Sequence, residues 1–278
     1  MQRYNTTKMQ EQSITTKSYK KLVLKIDTQS VSYVIVDLIS HEVLDIKEFT
    51  IQPYSNSNKV LEEQIKNHLQ ELEHSTFDQV IVLHNNSYAT FVPSAFFDPE
   101  NLGLYLQYNT KVYESDLIVY DTLDRYQMHN IYVPFTNINN ILLDLFPTFD
   151  YKNVNTILVQ KLLDYSKNKE EKIVFIHYQN LHFELVVVQN QKLILFNSFL
   201  HKTPEDFIYY LLFTMEQLQL NPESIKTYFL GDISIKHPVF TLAYTYIRFV
   251  ELYNLLDLES KNKATAQQNS KYFISLHA

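Results

Sequence analysis

One order of elements occurs twice in this chain, about 150 residues apart, and that repetition limits the fold more than any other feature. "KLVLKIDTQSVSYVIVDLISHEVLDIKEFTI" (Lys21–Ile51) reads as three strands. The first two alternate and are rich in Val, Ile and Leu, and polar breaks fall at Asp27–Ser30 and Ile39–Glu42. Val60, Leu61, Ile65, Leu69 and Leu72 stand at helical spacing and predict a helix over about Lys59–Glu73. "FDQVIVLHN" is then a buried strand. "EKIVFIHYQNLHFELVVVQNQKLILFNSFL" (Glu171–Leu200) gives three strands again, broken at Tyr178–Asn180 and Asn190–Gln191. The next helix, "TPEDFIYYLLFTMEQLQL", has Thr203 as N-cap, Pro204 at its first position and the acids Glu205 and Asp206 in its first turn. "IKTYFLGD" is the strand after it. The repeated β-β-β-α-β order predicts an internally duplicated α/β protein.

Between the repeats, "SYATFVPSAFF", "SDLIVYDTL" and "NIYVPF" read as strands around a short helix near Asn101–Val112. "NINNILLDLF" and "VNTILVQKLLDYS" read as helices. "HPVFTLAYTYIRFVELYNLLDL" reads as one long helix, apolar on more than one face and therefore buried. "ESKNKATAQQNS" is low-complexity linker, and "KYFISL" is expected to return as a late strand. Four regions follow: a disordered tail at 1–18, a first half at 19–150, a second half at 151–258, and a linker with a short C-terminal segment at 259–278. The tail and residues 259–270 are polar and are expected to pack little core.

Glycine is nearly absent. Average usage of about 7% predicts roughly 19 glycines in a chain of this length, and there are 2 among 278 residues. The 22 asparagines are expected to take many of the left-handed turn positions. With so few glycines, backbone can approach phosphate closely at few places. Cysteine is absent, which excludes disulfides, thiolate zinc sites and cysteine nucleophiles. A net charge of −7 argues against a nucleic-acid surface. No apolar run is as long as a membrane span, and the N-terminus lacks a signal-peptide core. The expected location is the cytoplasm.

Two β-β-β-α-β-α halves in tandem resemble the actin, sugar-kinase and Hsp70 superfamily, in which each half is a ribonuclease H-like domain. More narrowly, "FVPSAFF", "LILFNSF", "EDFIYYLLF" and "FLGDI" make the chain similar to an uncharacterised Bacteroidetes family, the domain of unknown function 3822. The resemblance covers about Tyr19 to Leu258 and implies an actin-like ATPase fold. In ATP-using members of the superfamily, an Asp-x-Gly-Thr loop in the first hairpin and a Gly-rich loop in the second hold phosphates. A strand ending in Gly-Gly holds the adenosine. Here the first loop reads "IDTQSVS", with Asp27, Thr28 and Ser30 but no glycine, and the second reads "IHYQNLHF", with neither glycine nor acid. "FLGDI" keeps Gly231, followed by Asp232 in place of a second glycine.

Phosphate is held by successive backbone N–H groups in tight turns, so the missing glycines predict a pseudo-ATPase without ATP or Mg²⁺. It would act through contacts with a protein partner. One alternative is a divergent ATP-binding phosphotransferase or ATPase using Asp27, Thr28, Ser30, Gly231 and Asp232. Another is a membrane-associated actin-like scaffold. Asp27 is also weighed as a metal ligand, but no second carboxylate is recognisable near it. His177, His182, His84 and His129 lack zinc-site spacing and are read as strand-end or surface residues. Ser198 lacks a nucleophile elbow. Aromatic residues of "EDFIYYLLFTMEQLQL" are read as core, with a partner groove as the alternative.

Overall fold

The computed structural model describes residues 19–51, 58–72, 75–108, 110–113, 115–180, 182–255, 262 and 264–278. The expected tail at 1–18 lies outside them. The first half builds a sheet from β1 (Lys20–Ile26), β2 (Ser30–Asp37), β3 (Val43–Thr50), β4 (Gln79–His84) and β8 (Asp150–Asn153), in the order β3-β2-β1-β4-β8. The second half builds the same order, β11-β10-β9-β12-β13, from β9 (Ile173–Tyr178), β10 (His182–Gln189), β11 (Lys192–Leu200), β12 (Lys226–Gly231) and β13 (Phe249–Leu252). In each sheet the three hairpin strands are antiparallel and the last two strands are parallel to the first.

The match extends to irregularities. Both outer hairpins slip register at the same step, between Ile35 and Val36 in β2 and between Val187 and Val188 in β10. Both inner hairpins close with one backbone bond of 3.0 Å, Asp27 N–H to Ser30 carbonyl and Gln179 N–H to His182 carbonyl.

Side chains alternate across a strand, and here both faces of each sheet are apolar. Leu22, Leu24 and Ile26 face helices α1 (Asn58–Leu69) and α3 (Thr136–Leu145). Val174, Ile176 and Tyr178 face helices α5 (Pro204–Gln217) and α6 (Pro238–Tyr246). The opposite faces turn toward each other: Val23 and Leu83 of the first sheet share one core with Phe175, Val186 and Leu230 of the second. Helix α4 (Val154–Tyr165) is embedded in that shared core through Leu158, Val159, Leu162 and Leu163, each with no exposed surface. Asn153, its N-cap, accepts the Asn155 N–H at 2.9 Å. The α5 start is as predicted, with Thr203 and Asp206 forming a reciprocal capping box behind Pro204.

A three-stranded sheet, β5 (Ala89–Pro93), β6 (Val119–Leu123) and β7 (Met128–Tyr132), leaves the first half after β4. It packs on the short helix α2 (Leu102–Leu106) through Val92, Ile131 and Leu106.

Two sequence expectations fail at the C-terminal side. The long helix stops at Tyr246, Ile247 is extended (φ −124°, ψ 126°), and β13 follows. The segment Phe249–Leu252 is aromatic and branched, and it pairs in parallel with the otherwise open edge of β12, so tertiary pairing overrides helical periodicity. "KYFISL" is helical: α7 (Ala266–Lys271) and α8 (Phe273–His277) wedge against both halves. Phe273 and Ile274 enter the shared core, and Tyr272 covers Val34 and Val36 of β2. Three consecutive buried residues suit a helix entering a corner between sheets better than a strand with one covered face. The polar stretch before it also packs: Asn269 is buried, and Asn262 Nδ2 donates to its Oδ1 at 2.9 Å.

Gly231 is required by a close approach. Its φ is +99°, and a Cβ there would stand 2.3 Å from the Tyr178 carbonyl oxygen on the neighbouring strand. At Gly103 an added Cβ would meet Ile118 Cδ1 at 3.5 Å, an ordinary contact. Gly231→Val is therefore expected to cost roughly 1–3 kcal/mol or more, whereas Gly103→Ala stays within about 0.5 kcal/mol of wild type. Chemical denaturation of the two variants checks the contrast, and equal penalties would contradict it.

Candidate functional site

The shared inner faces change from apolar to polar toward one end of the strands. On β1, Val23 gives way to Lys25 and then Asp27; on β4, Leu83 gives way to Asn85. On β9, Phe175 gives way to His177 and then Gln179, while β10 runs from Val186 to Glu184 and His182. Leu230 of β12 is followed two residues on by Asp232. The same alternation that builds the core therefore delivers a row of polar groups from each half to one cleft. That cleft has a volume of about 860 Å³, and Lys25, Asn85, Gln179, His182 and Asp232 are among its lining.

The first hairpin is closed by its own acid. Asp27 Oδ1 accepts the backbone N–H groups of Gln29 and Ser30, both at 2.6 Å, and Oδ2 accepts the Ser30 hydroxyl at 2.7 Å. The second hairpin reaches across. Asn85 Nδ2 donates to Gln179 Oε1 at 2.7 Å, and Gln179 Nε2 donates back to Asn85 Oδ1 at 3.3 Å. This amide pair ties β4 of one half to the β9–β10 turn of the other.

Beneath it lies a carboxylate with no exposed surface, Glu184. An ionised carboxylate only accepts hydrogen bonds, so the adjacent His177 imidazole must donate to it, while His182 makes an ion-pair contact. His177 Nδ1 lies 2.7 Å from Oε2, and His182 Nε2 lies 3.0 Å from Oε1. Gln179 Nε2 adds a donor to Oε2 at 3.2 Å. Burial disfavours the charge on Glu184, but His182 and His177 outweigh it and hold the carboxyl below its ordinary range. Burial likewise opposes the charge on His182, yet the Glu184 carboxylate prevails and raises that imidazole above its usual value. Desolvation pulls the neighbouring Lys25 ammonium down despite the attraction of Asp27 and Glu48.

A second tie runs along the cleft's side. Lys271 of α7 pairs with Glu48 of β3 at 2.7 Å and with Asp232 of the second half at 3.1 Å. Burial opposes its charge, but the bonds to Glu48 and Asp232 raise it overall. Ser270 Oγ donates to the Gly231 carbonyl at 2.9 Å, and Tyr272 Oη donates to Glu48 at 3.2 Å.

Of the residues singled out in the sequence, Asp27, Thr28, Ser30 and Asp232 line this cleft. Gly231 sits behind Tyr178 at its base. His177 and His182 stand at strand ends as expected, one residue before the end of β9 and at the start of β10, but both are turned onto Glu184, so the second loop does have an acid beneath it. His84 is buried in the first half, where its Nδ1 accepts the Phe135 N–H at 3.2 Å and burial pushes its pKa down to about 4. His129 lies on the small sheet, stacked 3.8 Å from Phe97 between the hydroxyls of Ser94 and Thr122. Ser198 of β11 is the register partner of Glu184. Among the described residues no group of three or more His, Asp or Glu side chains is arranged to hold a metal ion. Sequence reasoning missed Glu184, Lys25, Asn85 and Lys271. The signal for Glu184 was present, as a lone acid inside the apolar strand "HFELVVVQ".

The model of the family "Protein of unknown function (DUF3822)" matches residues 9–250. The chain belongs to that family. A crystal structure from Bacteroides thetaiotaomicron, of a protein with actin-like ATPase fold and unknown function, is similar with a TM-score of 0.76 and 21% identity. The match covers 89% of this chain and 97% of that one. A structure of the PilM-PilN type IV pilus biogenesis complex matches with a TM-score of 0.57 and 13% identity, over 94% of this chain and 97% of that one. Comparison with curated protein sequences gives no match. The family member described here has the actin-like ATPase fold, with two ribonuclease H-like halves.

Removing Glu184 strands the buried His177 imidazole and the partly buried His182 imidazole, so Glu184→Ala is expected to cost roughly 3–5 kcal/mol. The pH dependence has a definite sign. Because the folded pKa of His182 is raised, its stabilisation is complete below the unfolded value near 6.5 and is lost as pH rises through the folded value. The penalty of His182→Gln, read from denaturation midpoints, should be larger at about pH 6 than at about pH 9. A penalty independent of pH would refute the pairing.

Proposed function

We propose that this protein is a catalytically silent member of the actin-like fold that acts through protein–protein contacts in the cytoplasm. The observation that carries the reading is the Asp27 carboxylate seated on the first hairpin's own amides. In a phosphate-binding turn those N–H groups stay open toward the ligand. Here a phosphate oxygen would have to displace an anion already bound at 2.6 Å. The second turn adds a further obstacle, since Gln179 spans the cleft and Glu184 sits beneath it with its charge retained. Gly231 is explained by the approach of Tyr178 without a nucleotide. The reading needs neither ATP nor Mg²⁺.

Contact with a partner is supported by exposed aromatic surface on the second half. Tyr209 is 61% exposed and Phe213 48% exposed on α5, stacked with ring centroids 6.0 Å apart, and Tyr244 of α6 is 64% exposed. The expectation of an aromatic core in α5 holds for Phe207, which is fully buried, and for Tyr210, which packs against the same core, while Tyr209 and Phe213 lie on its outer face. One neighbour of similar architecture is a complex of two proteins, PilM and PilN. The scaffold alternative at a membrane would need an attachment outside the described helices, since none of those is long and apolar enough to cross one.

The alternative of an ATP-using phosphotransferase rests on Asp27, Thr28, Ser30 and Asp232 lining one cleft. A ligand at 100 times its dissociation constant would add roughly 2.7 kcal/mol of stability. Thermal melting with millimolar MgATP is expected to show no shift. A rise in melting temperature that Asp27→Ala or Gly231→Val abolishes would overturn the silent reading and put the enzyme in its place. For the partner, a protein cross-linked to this chain in native cells should bind it in purified form and lose affinity with Tyr209→Ser/Phe213→Ser.

A further inference from the structure

We infer that the joint between the small sheet and helix α4 is a binding site for internal water, with at least one molecule held between the side-chain amides of Asn130 and Asn153. Asp121 of β6 and Asn130 of β7 are register partners, and residues directly opposite in an antiparallel pair share a face. Both meet the start of α4. Asp121 Oδ2 accepts the Asn153 N–H at 3.0 Å and the Thr156 hydroxyl at 2.5 Å, and its Oδ1 accepts the Tyr132 hydroxyl at 3.1 Å. Asn130, Asn153 and Asn155 have no exposed surface. None of these residues lines the cleft between the halves.

The amides of Asn130 and Asn153 are locked in orientation. Thr156 gives its only hydroxyl proton to Asp121, so its oxygen can only accept. Asn130 must therefore present Nδ2 to it, at 2.9 Å. Asn153 must present Oδ1 to the Asn155 N–H, also at 2.9 Å. The two amides then meet along one edge only, Asn130 Nδ2 to Asn153 Oδ1 at 3.3 Å. Their other atoms, Asn130 Oδ1 and Asn153 Nδ2, have no hydrogen-bond partner among the described residues, and the same holds for both amide atoms of Asn155. Turning Asn130 over would set its oxygen against two acceptors. Turning Asn153 over would set its NH₂ group against a backbone N–H.

A buried polar group left unpaired is costly, and folded interiors rarely keep one. The open atoms also select the ligand. The Asn153 N–H groups disfavour a cation, while the Asp121 carboxylate and the Asn130 oxygen disfavour an anion. Water donates and accepts at once, and internal waters typically make about three hydrogen bonds to groups of this kind. Accepting from Asn153 Nδ2 and donating to Asn130 Oδ1, one molecule closes the amide pair into a ring that joins β7 to the first turn of α4. Asn155 shares that molecule or takes a second.

A crystal structure of the full chain, at a resolution that orders internal solvent, tests the assignment. The expected result is a solvent peak at hydrogen-bond distance, about 2.7–3.2 Å, from both Asn130 Oδ1 and Asn153 Nδ2. In solution, the Asn153 side-chain amide protons should show direct cross-relaxation with a long-lived water. Both signals should vanish in Asn130→Leu, which removes the acceptor. A dry joint in the parent protein would overturn the proposal, whether the two amides close on each other or another side chain of the chain fills the gap. Persistence of the peak and the cross-relaxation in Asn130→Leu would also overturn it, because other groups would then hold the water.

Discussion

Everything in this molecule hangs on two sheets that bury their inner faces against each other and against one helix. Strand side chains alternate with period two, so the residues of β1, β4, β9 and β10 that face inward form a single series on each strand. At one end the series is Val23, Leu83, Phe175 and Val186, joined by α4 and by Phe273 in a common core. At the other end it is Lys25, Asn85, His177 and Glu184. The apolar end holds the halves together, and the polar end cannot close to a dry contact because charged groups must remain hydrated or paired. A cleft at that end follows from the same geometry as the core.

Register makes the two halves comparable position by position. Lys25 pairs with Ser32 where His177 pairs with Glu184. Asp27 opens the first turn where Gln179 opens the second, and Asn85 follows β4 where Asp232 follows β12. At these equivalent sites the chemistry has diverged. The first turn spends its acid on its own amides. The second places its acid under the sheet and sends an amide across the cleft. The cleft is thus braced at its floor by Asn85 and Gln179 and at its side by Lys271, which touches both halves. A brace at two points restricts the opening that a cleft between two domains would otherwise permit.

Scarcity of glycine has a structural cost that the chain meets elsewhere. His41, Gln127, Asn168, Asn190, Gln191 and Gln219 all adopt positive φ without being glycine. Among the described residues asparagine takes two of these six positions and glutamine takes three. Asn190 and Gln191 form the two-residue β10–β11 turn with φ of 42° and 62°, a geometry usually given to Asn-Gly. Gln219 ends α5 in a similar state, with Leu220 N–H bonded to the Met215 carbonyl at 2.8 Å. Such positions strain by roughly 1 kcal/mol each and survive because well-packed strands and helices flank them. At Gly231 no such compromise exists, because an added Cβ would strike the Tyr178 backbone.

What the sequence by itself determined was the two-fold order of elements, because strand alternation, helix periodicity and caps such as Thr203–Asp206 are local. It also determined that phosphate-binding glycines are missing from both turns. Tertiary structure decided what local pattern could not. Phe249–Leu252 became a strand because β12 offered an open edge, and "KYFISL" became helix because it fills the corner between the sheets. The site residues were only partly legible for the same reason. Asp27 bonds within three residues and could be read locally, whereas Gln179 and Asn85 lie 94 residues apart. Glu48 and Tyr272 are separated by 224. Glu184 looks like an isolated acid in an apolar strand until folding brings His177 against it from the neighbouring strand and turns its hairpin toward Lys25 and Asn85. Pairings between distant segments carry no local signature, since they depend on which strand edges meet and which faces are left to share.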